Sequence, residues 1–243
     1  MAIPLRHELK YLLSPLQVEV LRRNLLPVLS LDPHAAKNGG QYSIRSLYFD
    51  TAEDDSLYEK MSGIYYRQKY RIRIYNYSDA AIFLECKSKF GDLISKRSLK
   101  IPRDLADQLI AGDPDGLEKT HYGLLSDVYR EMRTRLLHPV VLVDYDREAY
   151  LHPAETVRIT FDKNLHSGLN SIDLFNPYVP TVSPFDEPWT VLEVKYDRVL
   201  PPYIAELLSW AVPEACRSAV SKYTWCRRFE RKDDICRRVK DEG

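Results

Sequence analysis

The sequence lacks any spacing of cysteines and histidines that is typical of a zinc site. Its four cysteines are Cys86, Cys216, Cys226 and Cys236, and none forms a CxxC pair, so no structural metal is predicted. Free thiols of this kind are typical of a reducing compartment. The chain also lacks an apolar run long enough to span a bilayer, and charges interrupt its first residues, MAIPLRHELKYLLS, where a signal peptide needs an apolar segment. We therefore expect a cytoplasmic protein.

A net charge is also missing, because 35 Lys and Arg residues balance 35 Asp and Glu residues. Domains that bind nucleic acid usually carry a basic excess, so nucleic acid is not an expected partner. The chain has 243 residues, of which 44% are hydrophobic, and this is enough to bury a core without disulfides. The 17 tyrosines favour strands.

The hydrophobic pattern predicts an α+β fold in a single domain over residues 1–243. A capping box at Ser14 and Gln17 predicts the start of the first helix, a polar loop contains Asn38-Gly39-Gly40, and a hairpin turn is expected at Ser78-Asp79. Strands are predicted at 1–13, 42–50, 65–77, 81–89, 93–102, 140–151, 156–165 and 189–197. Helices are predicted at 15–26, 53–61, 102–111, 120–137 and from 202 onward, with a helical tail at about 218–240.

Charged residues occupy one face of strand after strand. Strand side chains alternate between two faces, so four cations share one side of a single strand: Arg67, Lys69, Arg71 and Arg73. The charged face of any one strand fits the solvated side of an antiparallel sheet. Four like charges in a row repel one another, however, and a closed barrel would turn such faces inward. A charged interior needs water and a polyanionic ligand, so the pattern indicates a tunnel that holds a phosphate chain.

A set of short segments occurs in an order that resembles a known family. The segments are RHELKYLLS, SLYFDT, KYRIRIY, FLECKSK, ISKRS, YDREAY, RITFDKNL, VLEVKYD and SKYTWC. Together, over about residues 4–228, they resemble the VTC-type polyphosphate polymerase domain of the triphosphate tunnel metalloenzymes. The resemblance implies an eight-stranded antiparallel β-barrel tunnel with helices packed outside, and Mn²⁺ or Mg²⁺ as the cofactor.

The resemblance also implies roles for individual residues. The catalytic set would be Lys10, Arg71, Arg73, Lys87, Lys96, Arg147, Arg158 and Lys222. Further substrate-binding residues would be Lys69, Tyr145, Lys195, Ser221 and Arg6. Glu193 would be the main metal ligand, with Glu8 and Glu85 as lesser candidates.

The first strand departs from the hydrolytic branches of the superfamily. Those branches begin with Glu-x-Glu-x-Lys, whereas this chain has Arg6-His7-Glu8-Leu9-Lys10. One potential metal ligand fewer favours transfer of the ATP γ-phosphate to a growing polyphosphate chain over transfer to water. Hydrolysis of tripolyphosphate, and binding of polyphosphate without turnover, stay open as alternatives.

The resemblance implies ATP, inorganic polyphosphate, triphosphate or pyrophosphate as ligands. The eukaryotic family members carry an N-terminal helical regulatory domain and transmembrane segments, neither of which is found in this sequence. A separate membrane-protein partner for export of the product stays open as an option.

Other charged or polar residues have ordinary structural explanations. Asp50, Asp54 and Asp55 are expected to cap a short helix rather than to bind metal. The histidines at 7, 121 and 138 have no partner at catalytic spacing and are expected to be structural or exposed. The tail RRFERKDDICRRVK reads as a solvated helix face, with docking to an acidic partner or a membrane surface as the alternative.

Overall fold

The strands and helices of the chain are seen here in a computed structural model. It describes residues 5–117, 123–152, 156–212, 217–218 and 220–241, with the backbone alone at 211 and 232–241. His121 and Cys216 lie outside the described residues, as does the Cys236 side chain. The strands are β1 (Arg6–Leu13), β2 (Ser30–Leu31), β3 (Tyr42–Asp50), β4 (Tyr66–Tyr75), β5 (Ser78–Phe90), β6 (Leu93–Ile101), β7 (His138–Leu151), β8 (Arg158–Ser167) and β9 (Thr190–Tyr196). The helices are α1 (Pro15–Leu25), α2 (Pro33–Lys37), α3 (Asp55–Met61), α4 (Arg103–Ile110), α5 (Leu124–Arg135), α6 (Pro202–Ala211) and α7 (Lys222–Asp241).

Eight of the strands close into an antiparallel barrel, as predicted. They are hydrogen-bonded in the order β7-β3-β4-β5-β6-β1-β9-β8, and β8 pairs with β7 to complete the circle. The two-residue β2 is added beside the end of β7. The seam between β1 and β6 is short, with paired residues only at Arg6 with Ile94 and His7 with Leu93.

The outer surface of the barrel is apolar and carries most of the helices. Val18, Leu21 and Leu25 lie on one side of α1 and pack with the outer residues of β1, β8 and β9. This helix begins with the predicted capping box, in which Ser14 accepts a hydrogen bond from the backbone of Gln17 and Gln17 accepts one from the backbone of Ser14. Helices α4 and α5 cover the outer faces of β4, β5 and β6 in the same way. Burial of these faces leaves the charged faces turned inward.

Helix α7 differs from the other helices because its first turns pack against inward-facing residues. Ser46 faces the interior, where it accepts a hydrogen bond from Arg73. Val143 is paired with Ser46 across the neighbouring strands, and Ile44 is two residues before Ser46 on the same strand. Both therefore face the interior as well. Tyr223 and Cys226 of α7 pack against these apolar positions. The helices pack around the barrel, as predicted, and the N-terminus of α7 in addition enters one end of it.

Two local predictions also need correction. The β4–β5 hairpin turns at Asn76 and Tyr77, with φ of 50° and 57°, and Ser78-Asp79 already belongs to β5. Such positive φ angles suit a two-residue hairpin turn, and Asn is one of the residues that adopt them readily. The segment predicted as a polar loop contains β2 and α2, where Asp32 accepts a hydrogen bond from the backbone of His34 at 2.8 Å.

Asp50 is a structural carboxylate, as predicted, and it joins α3 to α7. Its side chain accepts hydrogen bonds from the backbone nitrogens of Ser56 at 2.8 Å and Leu57 at 3.1 Å, and from the hydroxyl of Tyr223. Asp54 does not cap α3 through its side chain, contrary to the prediction, but pairs with Arg227 at 3.0 Å. The two aspartates therefore fix the start of α7 against α3.

Replacing Asp50 should destabilise the fold more than removing its link to α7. Because Asp50→Ala leaves several buried donors without an acceptor, we expect the free energy of unfolding to fall by about 3 kcal/mol. Tyr223→Phe removes only the hydroxyl and should cost about 1 kcal/mol. Urea denaturation followed by circular dichroism measures both values. Equal losses for the two variants would show that the backbone contacts of Asp50 contribute nothing.

Candidate active site

The interior face of the barrel carries alternating cations and carboxylates. On β4 and β5 the register pairs Arg71 with Glu85, and it pairs Lys69 with Lys87. On β1 and β9 it pairs Lys10 with Glu193, and Glu8 with Lys195. The strand alternation seen in the sequence therefore brings these predicted residues to one interior surface.

Glu85 is the centre of the first ionic group. Its carboxylate lies 2.6 Å from the guanidinium of Arg71, 3.6 Å from that of Arg73 and 2.7 Å from Nζ of Lys96. Burial alone would raise the pKa of Glu85, but these cations outweigh it and hold the pKa far below its usual range. Arg71 also donates to the hydroxyl of Tyr48 at 2.8 Å. Glu85 thus holds the two arginines of β4 in position.

Glu8 and Glu193 form the second group. Nζ of Lys10 lies 3.5 Å from Glu8 and 3.2 Å from Glu193, and Nζ of Lys195 lies 3.6 Å and 3.1 Å from the same two residues. Lys87 pairs with Glu8 at 2.8 Å. Burial opposes ionisation of Glu193, but Lys10 and its neighbours outweigh burial and keep the pKa of Glu193 well below its ordinary value. Both carboxylates are therefore ionised and close together.

Asp162 organises the third group and was absent from the predicted site. It pairs with Nε of Arg147 at 2.6 Å and with Nζ of Lys222 at 2.6 Å, and Lys222 also lies 2.9 Å from Glu193. The aromatic ring of Tyr145 lies 4.9 Å from Nζ of Lys222. Asp162 shares its strand face with Arg158, so alternation along RITFDKNL was the signal that pointed to it.

Three predicted residues lie at the rim or are partly exposed. Arg6 has a side chain that is 47% exposed and pairs with Asp197 at 2.9 Å. Arg158 is 35% exposed and pairs with Asp32 at 3.1 Å, and Lys96 is half exposed beside Glu85. Arg6 is therefore separated from the interior groups, whereas Lys96 bridges the rim and the interior.

Lys69 and Ser221 meet at the end of the barrel that α7 enters. Nζ of Lys69 donates to Oγ of Ser221 at 3.2 Å and lies 4.4 Å from the centre of the Tyr223 ring. Burial lowers the pKa of Lys69 well below its ordinary value, and the nearby Lys60 and Lys10 lower it further. Lys69 therefore lies in a basic environment.

The carboxylates fit a small divalent cation. Glu8 and Glu193 lie within 3.6 Å of the same lysine nitrogen. Thr160, which is opposite Glu193 in the sheet, has a buried hydroxyl with no hydrogen-bond partner in the part of the chain that the structure describes. Mg²⁺ and Mn²⁺ prefer oxygen ligands, and Mg²⁺ is usually bound by one or two carboxylates together with phosphates and water. Among the described residues no three His, Cys, Asp or Glu side chains surround one point. A metal here would therefore need phosphate oxygens to complete its ligands.

Comparison with known families agrees with this geometry. A model of the VTC domain matches residues 5–229, which include every residue of the three ionic groups. The chain belongs to the VTC domain family. None of the curated proteins compared with this VTC domain matches it.

This VTC domain is similar to solved structures of other proteins. A Hippeastrum protein, described as an adenylyl cyclase with a dominant triphosphatase activity, has 16% identity and a TM-score of 0.55, over 92% of this chain and 95% of its own. A protein from Vibrio parahaemolyticus, described as an adenylate cyclase, has 12% identity and a TM-score of 0.49, over 92% and 98% of the two chains. At 16% identity the likeness to the Hippeastrum protein concerns the fold alone.

Within the described residues, no helix has the length and apolar character needed to cross a bilayer. The cytoplasmic location and the membrane-protein partner stay predictions.

Lys87 gives the VTC domain a charge that changes near neutral pH. Burial lowers the pKa of Lys87 to about 7, although Glu8 opposes the shift. Since a lysine loses its charge as the pH rises through its pKa, we expect the affinity for tripolyphosphate to fall as the pH rises through this value. Lys87→Arg keeps its charge at every such pH and should bind more tightly than the wild type above neutrality. Calorimetry gives the affinity of both proteins for tripolyphosphate as a function of pH. Because protonation of the ligand affects both proteins equally, the ratio of the two affinities reports on residue 87. A ratio that does not change with pH would contradict this role of Lys87.

Proposed function

We propose that this VTC domain is a metal-dependent polyphosphate polymerase that transfers the γ-phosphate of ATP to a growing polyphosphate chain. The observation that carries the proposal is the excess of cations over carboxylates on the interior of a closed barrel. The interior carboxylates are Glu8, Glu85, Asp162 and Glu193, and the cations paired with them are Lys10, Arg71, Arg73, Lys87, Lys96, Arg147, Lys195 and Lys222. A bound polyanion would neutralise that excess.

The reaction makes modest covalent demands on the protein. Phosphoryl transfer needs positioning and stabilisation of negative charge on the non-bridging oxygens, with no side-chain nucleophile. The guanidinium groups of Arg71, Arg73 and Arg147 present forks that match phosphate oxygens. Lys10 and Lys222, which are held by Glu193, add compact charges beside them.

Mg²⁺ or Mn²⁺ would be held by Glu193 together with Glu8. When bound, such an ion neutralises phosphate charge and polarises the phosphoryl group. Glu85 is a poorer candidate because its cations, Arg71, Arg73 and Lys96, bridge it to no second carboxylate among the described residues, whereas Glu8 and Glu193 share two lysines. The protein itself orients the phosphates, and the pairing of its cations with carboxylates keeps those cations in place before substrate binds.

Hydrolysis of tripolyphosphate is the second candidate. Two observations favour it: the Hippeastrum neighbour is described as a triphosphatase, and the close ionised pair Glu8 and Glu193 can accept hydrogen bonds from an attacking water. Arg6, which stands in place of the first acid of the hydrolytic motif, lies at the rim beside Asp197. Its effect on the reaction would therefore be indirect.

A single set of assays tests the assignment. Incubation with ATP and Mn²⁺ should give chains that are resolved on a polyacrylamide gel, with slow release of phosphate from tripolyphosphate. Rapid release of phosphate without chain growth would replace the polymerase with a hydrolase. Binding of polyphosphate without either product would leave a binding module and overturn both enzymatic proposals.

A further inference from the structure

A second group of cations lies where α7 enters the barrel, and it differs from the interior groups in having few acidic partners. Lys60 at the end of α3, Lys69 on β4 and Lys89 near the end of β5 are all half-buried. Within the described part of the chain, none of the three lies within ion-pair distance of a carboxylate, whereas Lys10, Lys87, Lys195 and Lys222 all do. This end of the barrel therefore carries lysines that have no ion-pair partner among the described residues.

The cations lie close enough to one another to interact. Burial lowers the pKa of Lys60, and Arg67, Lys89 and Lys10 lower it further. Burial and Arg67 likewise lower the pKa of Lys89, while Asp92 opposes them. Mutual repulsion among buried cations costs free energy that a bound anion would recover.

A cavity of about 310 Å³ adjoins this cluster. Its lining comes from the end of α3 and the first turns of α7: Lys60, Met61, Ser221, Thr224, Trp225 and Arg228. Thr224 is only 8% exposed, and its hydroxyl has no hydrogen-bond partner among the described residues. The hydrogen bond from Lys69 to Ser221 joins the cavity to the barrel interior. We call this region the α7 vestibule, formed by Lys60, Lys69, Lys89, Ser221, Thr224 and Arg228.

We propose that the α7 vestibule binds the part of a polyphosphate chain that extends beyond the phosphates held beside Glu193. This inference rests on the proposed function and adds a site that distinguishes long chains from triphosphate. The interior groups have their own carboxylates, so a short ligand can be held there alone. The vestibule has cations, a buried hydroxyl and space but few acids, which suits the repeated charges of a longer chain. When one chain occupies both sites, binding at the second site is intramolecular. The affinity of the whole chain therefore exceeds that of either part alone.

The opposite end of the paired strands β5 and β6 provides a matched control. Lys89 faces Ile94 next to the β5–β6 turn, whereas Lys100 faces Phe83 at the far end of the two strands. The positions are six residues apart along β5, or roughly 20 Å in an extended strand. Lys100 is exposed and has no carboxylate within ion-pair distance in the described chain. Lys89→Gln and Lys100→Gln therefore each remove one unpaired charge, at opposite ends of the barrel.

Calorimetric titration with tripolyphosphate and with long-chain polyphosphate tests the inference. The wild type should bind the long chain more tightly. Lys60→Gln and Lys89→Gln should each weaken long-chain binding about fivefold, the loss of one modest charge contact, and should leave tripolyphosphate binding and turnover unchanged. Lys100→Gln should leave both affinities unchanged.

The outcomes separate this inference from the proposed function. Equal losses for both ligands, or no loss for the long chain, would overturn the vestibule. Weaker long-chain binding in Lys100→Gln alone would place the extended chain at the other end of the barrel and overturn it as well. A wild type that binds tripolyphosphate without any gain from chain length overturns the vestibule and leaves the proposed function intact. If neither ligand binds, the proposed function itself is wrong.

Discussion

Glu193→Gln should remove metal-dependent turnover while the protein remains folded. The substitution keeps the size of the side chain but removes the charge that lies 3.2 Å from Lys10 and 2.9 Å from Lys222. Because a neutral amide is a weak ligand for Mg²⁺ or Mn²⁺, we expect turnover of ATP or tripolyphosphate to fall about 100-fold or more. Mn²⁺ binding in the presence of tripolyphosphate, measured by electron paramagnetic resonance, should weaken in parallel. Circular dichroism checks the fold.

Glu148 offers a control of the same residue type on the other side of the barrel wall. It is buried and paired with Arg22 at 2.8 Å and Lys163 at 2.6 Å, so Glu148→Gln also breaks a buried ionic contact. It lies on the outer face and should leave turnover and Mn²⁺ binding unchanged, at a cost in stability of about 2 kcal/mol. Full activity of Glu193→Gln at limiting Mn²⁺ would contradict the assignment of Glu193 as the main metal ligand.

Lys222→Gln should strongly lower activity and also weaken the fold. Lys222 lies 2.6 Å from Asp162 and 2.9 Å from Glu193, so its loss leaves these two buried carboxylates with Arg147 as the cation that contacts both. We expect the free energy of unfolding to fall by about 3 kcal/mol. The missing positive charge beside the phosphates should lower turnover about 100-fold, as for the loss of one preorganised donor.

Lys163→Gln is the control for Lys222→Gln, because it also removes an ion-paired lysine, but from the outer face of the barrel. Lys163 contacts Glu148, which keeps Arg22 as a second partner, so this variant should lose about 1 kcal/mol of stability and no activity. Turnover is compared at a temperature where urea denaturation shows both variants to be folded. Near-normal turnover of Lys222→Gln under those conditions would exclude Lys222 from the active site.

The sequence predicted much of the interior surface because strand alternation is a local property. Lys10 shares a face with Glu8, and Arg71 shares a face with Arg73, whatever the rest of the chain does. The hairpin turn at Asn76 and Tyr77 was misplaced by two residues, since several neighbouring polar residues suit a turn and only the pairing of β4 with β5 selects among them. The helix α2 was missed because its five residues give too short a periodic pattern.

By itself the sequence determined which residues face inward and that a polyanion would suit them. Only the tertiary structure decided which charges meet. Asp162 on β8 and Lys222 on α7 are distant in the chain, and their contact at 2.6 Å depends on closure of the barrel and on entry of α7 into one end. Arg6 shares the inward parity of Lys10, yet it lies at the rim beside Asp197, because β1 begins there. Parity is set by neighbouring peptide bonds, whereas depth and pairing are set by register between strands that are far apart in sequence.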